Sequence, residues 1–410
     1  MNKINNDTKP DIAAMNSDSI LANQNIIPAE RLHSVSEYFF STKLKEIAQM
    51  NARGLRVISL GIGSPDLPPS DETIRVLNDF ALQPDTHGYQ SYIGIAELRK
   101  AYADFYQRWF KVSLNPDTEI LPLIGSKEGI LHISMAFLNP GDGVLVPNPG
   151  YPTYTSVSNL LQAKVINYNL LESENWQPDF EALEQTDLSN VKLMWVNYPN
   201  MPTGAAATRD LLTKLVAFGK KHNIVICNDN PYSFILNDQY LSILQIEGAK
   251  EGCIELNSMS KSHNMPGWRM GMMASNNQFV QWVLKVKSNV DSGQFRPMQL
   301  AAVAALNNSD DWHRQMNHVV YRKRRIIAEK IMQQLNCTFD KRQVGLFLWG
   351  KIPDTYSDSA ELADRLLYAA TVFVTPGFIF GDNGKRYIRI SLCASEAMLE
   401  EALERICLMP

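Results

Sequence analysis

Residues 253–275 read CIELNSMSKSHNMPGWRMGMMAS, in which two short apolar runs, CIELNS (253–258) and MGMMAS (270–275), enclose a polar loop. Runs of the same kind begin at residue 119: EILPLI (119–124), GVLVP (143–147), KVINYNL (164–170), KLMWVN (192–197) and IVICN (224–228). Several alternate with stretches of helical periodicity such as RDLLTKLVAFGKKH (209–222). That alternation predicts an α/β domain built on a seven-stranded, mostly parallel sheet flanked by helices.

In such sheets ligands gather beyond the carboxyl ends of the strands, and the polar residues here follow the runs rather than precede them. Gly125, Ser126 and Lys127 come after the first run and open a helical segment whose free backbone N–H groups suit an anion. YPNMPTG (198–204) follows the fourth, Asp229 and Tyr232 in NDNPY follow the fifth, and Lys261 follows the sixth. Ser258 and Ser260 precede Lys261, and Arg269 stands eight residues after it. One amine, two hydroxyls and a guanidinium suit a cofactor carrying both an aldehyde and a phosphate: lysine condenses with the first, and serine and arginine hold the second. Taken alone, the cluster reads equally as a solvated loop.

Outside the sheet, residues 29–53 have helical periodicity ending at Gly54, and VISLGIGSPDLPPS (57–70) gives a short strand, a glycine turn and a proline-rich link. Helices mixed with GLFLWGKI (345–352) and RYIRISL (386–392) predict a smaller α+β domain. The division expected is a mobile arm (1–28), the N-terminal part of the small domain (29–65), a large cofactor-binding domain (66–290), and a connecting helix with the small C-terminal domain (291–410).

The net charge of -4 gives no electrostatic reason to expect nucleic acid, and the RKRR run at 322–325 lies within a helical pattern that makes it a solvated face. Five cysteines without a CxxC pair point to a reducing compartment and away from structural zinc. The first thirty residues lack the apolar core of a signal peptide, and no run of about twenty apolar residues occurs. These features predict a cytoplasmic protein with no metal site and no membrane span.

SMSKSHNMPGWRMG around Lys261, NDNPYSF, YPNMPTG and RYIRISL, in this order and spacing, resemble the fold type I, pyridoxal-phosphate-dependent aminotransferases of class I and II. The likeness runs from about Ala29 to the C-terminus. LGIGSPDLP and KSNVDSGQFRPMQ look most like the branch of alanine, LL-diaminopimelate and aspartate-type enzymes. The resemblance implies pyridoxal 5'-phosphate as cofactor, an L-amino acid and a 2-oxo acid as ping-pong substrates, and a homodimer. Lys261 would form the Schiff base and later shuttle the substrate's α proton. Asp229 would pair with the pyridine nitrogen, although an Asp at a strand end can also serve as a helix or turn cap. Tyr232 would donate to the phenolic oxygen, and Tyr151 would stack on the ring unless it is plain core packing.

For the phosphate, the resemblance points to Gly125, Ser126, Lys127, Ser258, Ser260 and Arg269, with Tyr89 reaching the neighbouring subunit's phosphate. Arg389 would grip the substrate α-carboxylate and Gly63 would pass close to the substrate. Arg296 could meet a second carboxylate or be a solvated helix end, and His263 reads as a loop histidine. Cis bonds are expected before Pro149 and Pro202. One position departs from the pattern: Met201 stands where the family usually has Asn, unless the loop slips by one residue and brings Asn200 inward. A lyase or decarboxylase on the same scaffold is the alternative reading, and a non-catalytic regulator a third.

Overall fold

A computed structural model describes residues 27–35, 37 and 39–409. The arm expected at 1–28 therefore lies outside the described residues except for its last two. In chain order the strands are β1 (Ile58–Ser59), β2 (Ile120–Leu123), β3 (Gly143–Asn148), β4 (Lys164–Asn169), β5 (Val191–Val196), β6 (Val225–Asp229), β7 (Cys253–Ser258), β8 (Gly271–Ala274), β9 (Phe347–Lys351), β10 (Val372–Phe373), β11 (Thr375–Pro376) and β12 (Tyr387–Ser391).

Seven of them form one sheet in the order β2-β8-β7-β6-β5-β3-β4. Each of the seven apolar runs in the sequence forms one of these strands. Only β8 runs against the rest, pairing antiparallel with both β2 and β7. The link from β7 to β8 contains one helical turn, Met259–Ser262, and one 3-10 turn, Pro266–Trp268, rather than a crossover helix, so the chain returns antiparallel.

Helices cover both faces, which is why the inner strands read as continuous apolar runs. On one face, Ile130, Ile133, Tyr154, Val157, Val280 and Val283 pack with Leu193, Trp195, Leu256 and Met273. On the other, Leu98, Tyr102, Phe105, Leu211 and Leu215 pack with Met194, Val196, Ile226 and Met272. Leu193 and Met194 thus face opposite layers, as the pleat requires. The edge strand β4 exposes Lys164, Asn167 and Asn169, which discourages further pairing along that side.

The C-terminal part carries a second, antiparallel sheet in the order β11-β12-β9. β1 pairs in parallel with β10, and Ile47 and Met50 of the helix Phe39–Ala52 pack on Leu367 and Phe373, so the N-terminal segment sits on the C-terminal part. The single helix expected over 29–53 is divided: Glu30–Ser34 is a 3-10 turn, Val35 is extended, and the described α-helix is Phe39–Ala52. No residue of that first turn is buried, so no packing extends the helix backwards. At its other end, Gly54 adopts φ +86, as a helix stop demands. The bonds before Pro149 and Pro202 are cis, and so is that before Pro199. No helix among the described residues is long and apolar enough to cross a membrane.

Candidate active site

The loops leaving β2, β5, β6 and β7 at their carboxyl ends, the 61–63 turn and Arg389 of β12 enclose a cavity of about 750 Å³. Of the residues singled out in the sequence, Gly63, Ser126, Lys127, Tyr151, Asp229, Tyr232, Ser258, Ser260, Lys261, Arg269 and Arg389 line it. Gly125 and Tyr89 do not. Gly125 stands just behind, as the residue before the helix Ser126–Phe137, with φ +83; a Cβ there would overlap the Arg269 guanidinium. Tyr89 lies outside on the surface and is 96% exposed.

One end of the cavity is built for an anion. It combines the start of a twelve-residue helix, the Lys127 and Arg269 cations and three serine hydroxyls. The Ser258 hydroxyl accepts from the Ser260 amide at 3.2 Å and lies 3.0 Å from the Ser260 hydroxyl, while the buried Ser126 Oγ has no hydrogen-bond partner among the described residues. Arg269 is tethered to the carbonyls of Pro266 at 2.9 Å and Ile124 at 3.2 Å, which fixes its guanidinium against the Gly125 turn.

Lys261 donates to the Gly63 carbonyl, and burial holds its amine below the ordinary lysine range. Asp229 ends β6. Its Oδ2 accepts from the Tyr154 hydroxyl at 3.0 Å, and its Oδ1 is buried with no hydrogen-bond partner among the described residues. Neither oxygen caps a helix. Burial lifts this carboxyl to about 6 against the Tyr154 hydrogen bond, the nearby Ser126 hydroxyl and the Lys261 charge, all of which lower it. An Oδ1 left unsatisfied in the protein is poised for a cationic N–H supplied from the cavity.

Arg389 is 4% exposed. It donates from Nη2 to the Gly61 carbonyl at 2.8 Å and from Nη1 to the Met201 thioether at 3.2 Å. Its guanidinium carbon lies 3.8 Å from the Phe347 ring centre and 4.7 Å from that of Phe380, so cation–π contacts support the charge in a dry setting. Tyr232 meets Phe347 edge-on at 5.9 Å, and burial pushes its phenol above the ordinary range.

The loop at Met201 does not slip. Met201 lines the cavity, and its amide donates to Asn197 Oδ1 at 2.7 Å. Asn200 turns away: its Nδ2 donates to the Asn197 carbonyl at 3.1 Å, and its Oδ1 accepts from the Thr203 hydroxyl at 2.7 Å. Arg296 stays outside the cavity, 3.3 Å from Glu97. His263 lies in the turn that follows Met259–Ser262, as a loop histidine. It is fully buried beside Phe105 and His313, at 5.6 and 5.1 Å between ring centres, and burial depresses its pKa well below the usual histidine value. Elsewhere, Glu128, His132 and Asp291 bring ligand atoms within 4.8 Å of one another, where Lys287 bonded to Asp291 supplies the balancing positive charge.

Reading the sequence missed Tyr154, Asn197 and an apolar wall that includes Phe40, Leu44, Ile62, Phe347 and Phe380. Tyr154 had a usable signal. It lies three residues after Tyr151, on the helix opening at Pro152, and stacks on Trp195 with ring centres 5.1 Å apart. The donor set suits pyridoxal phosphate: an anion cradle, a desolvated lysine, and a carboxylate with one oxygen left over.

The family model described as aminotransferase class I and II matches residues 56–406. The LL-diaminopimelate aminotransferase of Dehalococcoides mccartyi is 42% identical over 380 residues, covering 92% of this chain and 97% of its own. That of Nitratidesulfovibrio vulgaris is 41% identical, with 92% and 98% covered. Among solved structures, substrate-bound BacF from Bacillus subtilis superposes with a TM-score of 0.90 at 35% identity, covering 93% of this chain and 97% of that one. A probable N-succinyldiaminopimelate aminotransferase from Thermus thermophilus gives 0.84 at 30%, with 90% and 99% covered. With the family model and these relatives matching over most of its length, the chain belongs to the pyridoxal-phosphate-dependent aminotransferases of class I and II, enzymes that move an amino group from an amino acid to a 2-oxo acid.

Proposed function

We propose that this chain runs two half-reactions in the cavity at Lys261, with Arg389 holding the α-carboxylate of amino acid and 2-oxo acid in turn. When bound, pyridoxal phosphate supplies the aldehyde that captures the amine and a ring that stores the electron pair of the broken α C–H bond. Lys261 Nζ carries the proton released at the donor's α carbon, and burial, which lowers its pKa, shifts it towards the neutral amine that accepts this proton. Asp229 would keep the proton on the ring nitrogen through the Oδ1 that has no hydrogen-bond partner among the described residues. Tyr232 donates to the ring's phenolic oxygen, Tyr151 covers a ring face, and Gly125, Ser126, Lys127, Ser258, Ser260 and Arg269 form the phosphate seat.

The observation that carries this reading is the unsatisfied Asp229 Oδ1 in one cavity with the Lys261 amine and Arg389. Adding an amino donor alone to the holoenzyme should convert the visible cofactor band to the amine form, and a 2-oxo acid should restore it. Release of product with no need for a 2-oxo acid would instead indicate a lyase, and Lys261→Ala should block both band changes.

On this reading the active sites are shared across a homodimer. Tyr89, nine-tenths exposed, has exposed neighbours in Tyr92 at 47% and Phe295 at 39%, and its loop is tied to that of Phe295 by the Gln90–Gly293 bridge. Such an apolar surface is suited to a second copy of the chain. The pairing of β1 with β10 supports grouping residues 29–65 with 291–410 as a small domain beside a large one at 66–290. Five thiols with no disulfide among them favour the cytoplasm.

A further inference from the structure

We infer that Asn317 is a positioning residue for Lys261, braced by a π-turn whose main chain is tied to the loop of Tyr232. This deepens the proposed reading of Lys261 as the amine that joins the cofactor, and rests on it. Lys261 sits in a helical turn of only four residues, Met259–Ser262, too short to hold its own shape. The Met259 carbonyl accepts from the His263 and Met265 amides, both at 3.3 Å, and the Lys261 carbonyl from the Asn264 amide at 3.4 Å. The Ser262 carbonyl, next in line, accepts from Asn317 Nδ2 at 3.1 Å in a buried contact. A carbonyl only accepts, so this partner also fixes which way the Asn317 amide points.

Asn317 reaches that turn from a helix 55 residues further along the chain. The helices Asp310–Arg314 and Val320–Gln334 are joined by the π-turn Gln315–Val319, where the Val320 amide donates back to the Gln315 carbonyl. Such turns insert one residue into the α-helical ladder and are frequent at functional sites. Here the Asn317 carbonyl accepts from outside the helix, from the Leu236 amide at 3.0 Å. Leu236 has φ +50, a conformation a leucine keeps only where its surroundings hold it, and it follows the turn in which the Ile235 amide donates to the Tyr232 carbonyl at 3.1 Å. His313, one turn back, steadies the side chain, with Nδ1 3.3 Å from Asn317 Nδ2. Burial drops His313 to about 3, so its ring stays neutral and Nδ1 stays an acceptor. Asn317, 1% exposed, thus joins the Lys261 turn by its side chain to the Tyr232 loop by its main chain.

The test compares Asn317→Ala and Asn317→Asp with wild type. The first removes the amide; the second keeps its shape and loses the N–H donor, so it serves where the first folds poorly. Cofactor-free protein is titrated with pyridoxal phosphate, following the visible band of lysine attachment, and with 4-deoxypyridoxine phosphate, which carries a methyl group in place of the aldehyde. Both variants should bind pyridoxal phosphate about tenfold more weakly, the scale of one buried hydrogen bond, and the aldehyde-free analogue within about twofold of wild type, because the phosphate seat is untouched. Ile331→Val, a small cut in the buried face of the same helix, should leave both affinities in place. Wild-type affinity for pyridoxal phosphate in either folded variant overturns the inference. So does equal loss for the two ligands, which would make Asn317 a packing residue. Wild-type protein that binds pyridoxal phosphate without the band of lysine attachment overturns the reading of Lys261 as well.

Discussion

Replacing Asp229 with Asn should stabilise the cofactor-free protein and destabilise the holoenzyme. The carboxyl is displaced by burial from 3.8 to about 6. Roughly two pKa units at ~1.36 kcal/mol each make the buried anion cost about 3 kcal/mol. The sign follows from the direction of the shift. Below the unfolded pKa both states are protonated and there is no cost; between pH 3.8 and about 6 the folded state holds the proton longer, so stability falls as pH rises; above about 6 the whole cost is present.

The Asn side chain carries no charge and keeps an acceptor for Tyr154, so it removes the cost and spares the contact. With roughly 2.1 cal/mol/K of unfolding entropy per residue, a chain of 410 residues changes stability by about 0.9 kcal/mol per degree near its midpoint. The cofactor-free variant should therefore melt about 3 °C above wild type at pH 8, and the gap should close towards pH 4. With cofactor bound the order should reverse, because the carboxylate then faces a protonated ring nitrogen. Melting curves of both proteins across this pH range decide the matter. A gap independent of pH, or a more stable cofactor-free wild type at pH 8, refutes the argument that this carboxylate is held at the expense of stability.

Tyr154→Phe removes the hydrogen bond to Asp229 Oδ2 and should raise the acid limb of the kcat–pH profile by about one to two units, since a bond to a charged group is worth ~1.5 to 3 kcal/mol; an unmoved limb would confine Tyr154 to packing. Met201→Asn supplies a donor where the thioether has none and should lower the pKa of the visible cofactor band by about one to two units, read by titrating absorbance. Gly125→Ala should lose cofactor on dialysis and melt lower, because φ +83 strains an L-residue by ~1 to 2 kcal/mol and the new Cβ displaces Arg269. Mixing the Tyr89→Phe and Lys261→Ala variants should give hybrid dimers more active than either parent, because one site then carries an intact Lys261 and an intact neighbour's tyrosine; no gain on mixing argues against shared sites.

Much of the fold could be read because the inner strands are covered on both faces, so that each becomes a solid apolar run whose end is marked by the next polar residue. The strands that escaped, β10 and β11, are two residues each, too short for any period to register. The reversal of β8 had a physical trace in the short link after Lys261, but apolar runs carry no sign of direction. The start of the N-terminal helix was misplaced because residues 29–34 have the right spacing but bury no residue that would hold a longer helix.

The site divides in the same way. Reactive polar residues at strand ends stand out, since a buried Asp, Lys or Ser has few other reasons to follow an apolar run. The wall of Phe40, Ile62, Phe347 and Phe380 is built from residues that look like any core. Only the pairing of β1 with β10 and of β12 with β9 brings these distant segments to one cavity.

Met201 shows how the polar and apolar halves of the site depend on each other. An Asn at this place would offer its amide to the ring's phenolic oxygen and to the substrate carboxylate; the thioether offers neither, yet it accepts from Arg389 Nη1 and, with the Gly61 carbonyl, holds the guanidinium in place. Positioning of Arg389 is thus kept while a donor near the ring is given up. Without that donor, hydrogen bonding to the phenolic oxygen would, on the proposed reading, fall to Tyr232, and the cavity gains an apolar group on the side where Phe347 and Phe380 already flank the arginine. For this reason Met201→Asn should lower the band's pKa, and a titration of the absorbance that finds it unmoved would show that the thioether withholds nothing from the ring.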